Sequence, residues 1–145
     1  MEPGTMKWSR DFECGIKIID EQHKGLFDMI DEILNHASGN DEEEQAYFAR
    51  IVDKTVDYTQ IHLTTEARIM EKARLPGYEE HKKAHEAFTS TLVENILAFQ
   101  TDKKIDLKEF GGYLKDWLLN HIAVSDKEYF SHFKENPELL VEINT

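Results

Sequence analysis

Six residues of this sequence combine metal-binding side chains with helical spacing: His23, His62, Glu66, His81, His85 and His121. They include two pairs four residues apart, and this spacing puts both members of a pair on one face of a helix. Imidazole and carboxylate groups are ligands for transition metals. A buried polar group without a partner loses about 1–3 kcal/mol, so such side chains on a buried face need something to bind. The chemistry they favour is metal coordination.

The elements that would position these residues are four amphipathic helices. Apolar residues recur at steps of three and four along four long segments, which are separated by the breakers SGND (38–41), LPG (75–77) and QTDKK (100–104). That rhythm predicts helices with one buried face, and Asp106 is the predicted N-cap of the fourth. Short connections make neighbouring helices antiparallel. The sequence therefore predicts an all-α, up-down-up-down antiparallel four-helix bundle with a short N-terminal arm.

Histidines occur on the apolar faces of all four predicted helices. A single histidine in such a position is more often a structural core residue than a ligand, and His23 or His121 alone would be interpreted in that way. Their joint occurrence favours one shared metal site in the bundle interior. His36 and His132 fall near helix C-termini, where the helix dipole favours a partly charged imidazole, and we predict both at the surface.

Asp126 is a further candidate ligand, but its spacing is awkward. It follows His121 by five residues, over which a regular helix turns by about 140° away from a common face. A solvated acid is the simpler interpretation. Asp126 would reach the site if the helix widened locally into a π-bulge, if its rotamer were unusual, or if the metal lay beside the helix. Of these we favour a wide turn between His121 and Asp126.

Four motifs of the sequence resemble those of the hemerythrin family, in particular its single-domain bacterial members. They are IIDEQHK at 18–24, HLTTE at 62–66, HKKAH at 81–85 and WLLNHIAVSD at 117–126. The similarity extends over nearly the whole chain. It implies a four-helix bundle that encloses a non-haem di-iron centre with an oxo or hydroxo bridge.

The resemblance also implies a ligand role for seven residues: His23, His62, Glu66, His81, His85, His121 and Asp126. The last three of these histidines would bind one iron and the first two the other. The two carboxylates would bridge the irons. This implied role favours Asp126 as a ligand over Asp126 as a solvated acid.

The implied ligand set leaves one coordination position open, on the iron that His23 and His62 would bind. By resemblance its ligand is O2, held reversibly as a hydroperoxide, which implies oxygen carriage, storage or local delivery. Loss of the bound ligand as peroxide would be promoted by water. We therefore expect a dry, apolar pocket lined by Leu118, Ile122 and Val124 beside Trp117.

Two other function classes would use a similar centre. One is sensing of O2, redox state or nitric oxide. The other is enzymatic, as a di-iron oxidase, peroxidase or nitric oxide reductase. Oxygen-activating di-iron enzymes of ferritin-like bundles carry paired Glu-x-x-His motifs, and this sequence contains none. We therefore predict an oxygen-binding protein and not an enzyme.

Length and charge limit the partners of the chain. Its 145 residues fit one domain. Seventeen Lys and Arg against 29 Asp and Glu give a net charge of −12, which argues against nucleic acid and anionic membranes as partners and favours a monomer.

No apolar run approaches the roughly 20 residues of a membrane span, no signal peptide is recognisable, and Cys14 is the single cysteine. We expect a cytoplasmic protein.

The predicted organisation has three parts. Residues 1–5 form an added or disordered tail ahead of Met6, residues 6–136 the bundle, and residues 137–145 a C-terminal tail with the sequence PELLVEINT.

Overall fold

Five α-helices account for most of the described residues. The computed structural model describes residues 7–100 and 104–144. The side chains at 100, 124–130 and 140 and the predicted tail at 1–5 lie outside that description. A short 3-10 turn at Arg10–Phe12 precedes α1 (Lys17–Asn35), α2 (Asp41–Ala73), α3 (Tyr78–Gln100), α4 (Leu107–Glu135) and α5 (Pro137–Asn144). The first four helices begin and end close to the predicted breakers.

The four long helices form a closed bundle. Helix α1 lies between α2 and α4, and α2 lies beside α3. The ring of helices closes where Phe88 of α3 stacks on Trp117 of α4, with ring centroids 3.9 Å apart. The predicted up-down-up-down bundle is confirmed.

Side-chain caps start two of the helices. Asn40 accepts a hydrogen bond from the backbone N–H of Glu43 at 3.0 Å. Asp106 accepts a hydrogen bond from the backbone N–H of Glu109 at 3.0 Å. This bond confirms Asp106 as the N-cap of α4. Buried Glu44 accepts from the N–H groups of Gly39 at 2.7 Å and Leu107 at 2.9 Å. This carboxylate joins the α1–α2 turn to the start of α4.

The core consists of two apolar clusters with a polar layer between them. The larger cluster includes Leu26, Leu63, Phe88 and Leu118, and the smaller one includes Ile19 and Ile69. On α1 His23 lies in the polar layer, between Ile19 and Leu26. On α2 Glu66 lies in it, between Leu63 and Ile69. Apolar packing therefore closes the polar layer on two sides.

The segment at 137–145 is more than a tail over its described part. It forms α5, from which Leu139 and Ile143 pack against the smaller apolar cluster. Asn144 donates to the carbonyl of Gly15 at 3.0 Å and accepts from the N–H of Lys17 at 3.0 Å. A helix of eight residues makes too few turns to show a periodic apolar stripe in the sequence.

The predicted wide turn in α4 is wrong. The described backbone is a single α-helix over Leu107–Glu135, without a π-helical turn between His121 and Asp126. A regular helix keeps its i to i−4 hydrogen bonds, so nothing in the backbone offsets the rotation of about 140° between these two positions. The side chain of Asp126 lies outside the described part of the structure.

No helix within residues 7–100 and 104–144 is both long enough and apolar enough to cross a membrane.

Candidate metal centre

Four buried side chains from three helices converge in the polar layer. They are His23 of α1, His62 and Glu66 of α2, and His121 of α4. Each offers one ligand atom within 4.8 Å of the others, and none is more than 8% exposed. Residues that are almost a hundred positions apart in the sequence therefore meet in one place.

The closest contacts surround the carboxylate of Glu66. Its Oε2 lies 3.0 Å from His62 Nε2 and 2.9 Å from His121 Nε2, and the two Nε2 atoms are 3.2 Å apart. These three atoms, which are candidate metal ligands, face one region of space. An imidazole–carboxylate set of this kind suits a transition metal.

Helix α3 supplies the neighbouring residues on the other side of Glu66. His85 Nε2 lies 3.3 Å from Glu66 Oε1, and the His85 ring is 5.4 Å from that of His121. His81 is one turn away, with its ring 6.4 Å from that of His85, and its Nδ1 is 3.3 Å from the carbonyl oxygen of Gly77. Donation from Nδ1 to a backbone carbonyl leaves Nε2 as the ligand atom. Both histidines are buried.

Among the described residues His23 has no hydrogen-bond partner at either ring nitrogen, although it is fully buried. Burial, together with repulsion from His62 and His121, lowers its pKa from 6.5 to about 3. The ring is therefore neutral at pH 7 and has a lone pair available. An unpartnered polar group in this position costs about 1–3 kcal/mol, and a metal ion would supply the missing partner. His23 thus fits a metal site better than a purely structural role.

Glu66 is fully buried and ionised. Burial alone would raise its pKa, but the neighbouring imidazoles, His121 foremost, hold that pKa well below its usual range. A buried carboxylate surrounded by imidazoles is a suitable anionic ligand for a cation.

Aromatic and aliphatic side chains form one wall of the site. The ring of Trp117 stacks on that of His121, with centroids 4.9 Å apart and an interplanar angle of 15°. Leu118 and Ile122, from the same helix, are buried in the larger apolar cluster. The sequence predicts that these three residues line the apolar pocket. The side chain of Val124, the fourth predicted member, lies outside the described residues.

A family comparison agrees with this arrangement. The model of the hemerythrin HHE cation binding domain matches residues 14–133, which include all seven predicted ligand positions. The chain belongs to the hemerythrin family. The resemblance carried by the four motifs is confirmed.

Individual relatives cover most of this hemerythrin. It is 33% identical to a bacteriohemerythrin of Pseudomonas aeruginosa over 93% of this chain and 86% of that protein. A myohemerythrin of Sipunculus nudus is 28% identical over 88% of this chain and 92% of its own. A crystal structure of a hemerythrin mutant superimposes with a TM-score of 0.77 at 25% identity, over 88% of this chain and 96% of the other.

The structure brings six of the seven predicted ligand residues of this hemerythrin into one buried region: His23, His62, Glu66, His81, His85 and His121. Four of them form the cluster of converging ligand atoms, His85 contacts it through Glu66, and His81 is adjacent to His85. The seventh, Asp126, has its side chain outside the described part.

Sequence reasoning missed Gln22, which lies 3.0 Å from the Nδ1 atom of His62. It precedes His23 in the motif IIDEQHK, so a helical projection would have placed it about 100° from the ligand face. The surface position predicted for His36 is correct. His132 is half-buried instead, because its Nε2 lies 2.9 Å from the carbonyl oxygen of Ala73 and joins α4 to α2.

Proposed function

We propose that this protein binds O2 reversibly at a non-haem di-iron centre and serves in oxygen carriage, storage or local delivery. In this proposal seven residues hold the metal: His81, His85 and His121 at one iron, His23 and His62 at the other, and Glu66 and Asp126 as bridges. The observation that carries it is His23, which is fully buried and, within the part of the chain that the structure describes, has no hydrogen-bond partner at either nitrogen. A metal ion at this position would supply the missing partner.

Iron bound there would supply a redox-active site at which O2 is taken up and released. The chain itself contributes a largely neutral donor set. Five imidazoles outnumber the two carboxylates in the proposed ligands, whereas oxygen-activating di-iron enzymes of ferritin-like bundles use four carboxylates in paired Glu-x-x-His motifs. Fewer anionic ligands stabilise highly oxidised iron less well. The donor set therefore favours binding of O2 over its cleavage, and a carrier over an enzyme.

The surrounding side chains orient the donors and exclude water. Trp117 stacks on His121 and fixes the plane of that ring. Leu118 and Ile122 are 0% and 2% exposed, which supports the proposed exclusion of water from the site. Low polarity around a site strengthens electrostatic contacts within it. These residues would keep a bound ligand from exchanging with water.

An optical titration tests the proposal. Iron-loaded protein is reduced without air, exposed to air and then degassed, while its visible spectrum is recorded. The expected result is an absorption band that appears with O2 and disappears on degassing over repeated cycles. One-way oxidation with release of hydrogen peroxide would contradict carriage and favour an enzyme or a redox sensor.

A monomeric state and a cytoplasmic location remain predictions from the sequence.

A further inference from the structure

A relay of three hydrogen bonds reaches His62 from the side opposite the candidate metal centre. The hydroxyl of Thr65 donates to the carbonyl oxygen of Ile61 at 2.8 Å. The side-chain nitrogen of Gln22 donates to the Thr65 hydroxyl at 3.1 Å. The other end of the Gln22 amide, Oε1, lies 3.0 Å from His62 Nδ1. The relay thus passes from the backbone of α2 through a side chain of α1 and back to α2.

The chemistry of the three groups sets the direction of the relay. A threonine hydroxyl has one hydrogen, and here it is donated to Ile61. The hydroxyl can then only accept from Gln22, which therefore presents its NH2 group to Thr65. The Gln22 carbonyl oxygen is left facing His62, and a carbonyl oxygen cannot donate. Hence the hydrogen between Gln22 and His62 belongs to Nδ1 of the histidine.

A neutral imidazole protonated at Nδ1 has its lone pair at Nε2. Nε2 of His62 is the atom that lies 3.0 Å from Glu66 Oε2 and 3.2 Å from His121 Nε2. A lone pair and a carboxylate oxygen this close together are both electron-rich, and a shared cation would draw them to the same point. The relay therefore presents the correct atom of His62 to a metal.

We propose that Gln22 and Thr65 are positioning residues that hold His62 in the tautomer able to bind iron through Nε2. This inference rests on the proposed function, because it concerns a ligand of the same centre. Gln22 acts on the tautomer directly. Thr65 acts through Gln22, because without its hydroxyl the amide of Gln22 can rotate by 180° and present NH2 to the histidine. Partners of this kind tune metal affinity by roughly 10–100-fold.

Four variants of the full chain test the relay through the rate at which iron is lost to a chelator. Gln22→Met keeps the length of the side chain but removes both ends of the amide, and iron loss should become about 10–100-fold faster. Thr65→Val should accelerate it in the same direction by a smaller factor. Thr65→Ser retains the hydroxyl and should restore the original rate. Thr64→Val, at the exposed neighbouring position, is the matched control and should leave the rate unchanged.

A spectroscopic readout separates tautomer control from a purely structural role. In the full chain loaded with diamagnetic Zn2+, nitrogen NMR of His62 should show a proton on Nδ1 and the metal on Nε2. In Gln22→Met that Nδ1 proton should exchange faster with water. Metal on Nδ1 of the unaltered protein would overturn the relay, as would Gln22→Met and Thr65→Val variants that lose iron at the original rate.

Failure of the inference and failure of the proposed function give different results. If the unaltered protein takes up O2 reversibly but the variants lose iron at the unaltered rate, only the relay is wrong. If the zinc-loaded protein shows the expected His62 signals but no reversible O2 band appears with iron, only the proposed function is wrong. A chain that holds neither metal would overturn both.

Discussion

Individual ligand candidates differ in how much they depend on a metal. His62 has a hydrogen-bond partner in Gln22 at 3.0 Å and His121 has one in Glu66 at 2.9 Å, so the metal-free protein already offers each of them a partner. His23 has none. Its two ring neighbours, His62 and His121, lie with centroids 4.8 and 5.8 Å away and repel its charged form. The free energy gained from a metal should therefore be largest at His23.

Removal of single histidines should affect the two proposed irons differently. We expect His62→Ala to weaken or abolish the iron that it would share with His23, and His85→Ala to lose the other iron and to destabilise the bundle. The reason is that binding and folding are linked when a site is assembled from several helices. Iron per chain, measured by elemental analysis, checks this. His36→Ala, at an exposed ring stacked on Tyr47, should keep both irons, and two irons in all three variants would refute the ligand assignment.

Leu118 should control how long the oxygen-bound form survives. Its side chain is 0% exposed and lies one turn before His121, on the same helical face. Replacement by Asn would admit water, so spontaneous oxidation of the reduced protein in air should become faster. The rate is measured from the decay of the O2-dependent band. Leu97→Asn on α3, at a side chain 53% exposed, is the control; equal rates in both variants would exclude Leu118 from the pocket.

At the scale of elements, the packing of α4 against α1 depends on one glycine. A Cβ at Gly111 would lie 2.7 Å from Leu34 Cδ2 and 3.2 Å from Ile33 Cγ2. At the adjacent Gly112 it would meet nothing within 4 Å. Neither glycine has a positive φ, so alanine suits the backbone at both positions. The two sites differ only in the space around them.

This pair predicts opposite effects on stability. Gly112→Ala should stabilise the protein by about 0.5–1 kcal/mol through higher helix propensity. Gly111→Ala gains the same propensity but overpacks the interface, so we expect net destabilisation of about 1 kcal/mol. Urea denaturation of both variants gives the comparison. A Gly111→Ala protein as stable as Gly112→Ala would show that Leu34 can move aside without cost.

At the scale of the whole molecule, the candidate site and the fold share the same residues. All four long helices contribute to the polar layer, and the two apolar clusters close it on either side. Imidazoles that are unprotonated in the folded state must take up protons when the chain unfolds below their ordinary pKa. The stability of the metal-free protein should therefore depend on pH through the site itself.

The pKa of about 3 at His23 determines the sign of that dependence. The folded state lacks a proton that the unfolded state binds below pH 6.5, so stability is complete above 6.5 and falls by about 1.4 kcal/mol for each pH unit below it. The lowered pKa of Glu66 adds a further loss only below its ordinary value of 4.5. Urea denaturation of metal-free protein between pH 7 and 5 measures the slope. His23→Gln should flatten the slope, and an unchanged slope would contradict the assignment to His23.

Much of this protein follows from local features of its sequence. The apolar repeats of three and four residues determine the four long helices, and the same periodicity puts His62, Glu66, His81 and His85 on buried faces. The cap at Asp106 is equally local, because it depends only on the next three residues. Features of this kind are visible in a sequence because neighbours on a helix are neighbours in the chain.

Tertiary structure decided which of these residues meet. His62 and His121 are 59 positions apart but approach to 3.2 Å, and the contact of Gln22 with His62 joins α1 to α2. The contact of Asn144 with Lys17 joins α5 to α1, and the contact of His132 with Ala73 joins α4 to α2. Such contacts depend on how far each helix is rotated and shifted against its neighbours. That register is set by the summed packing of the two apolar clusters, which no single segment of the sequence contains.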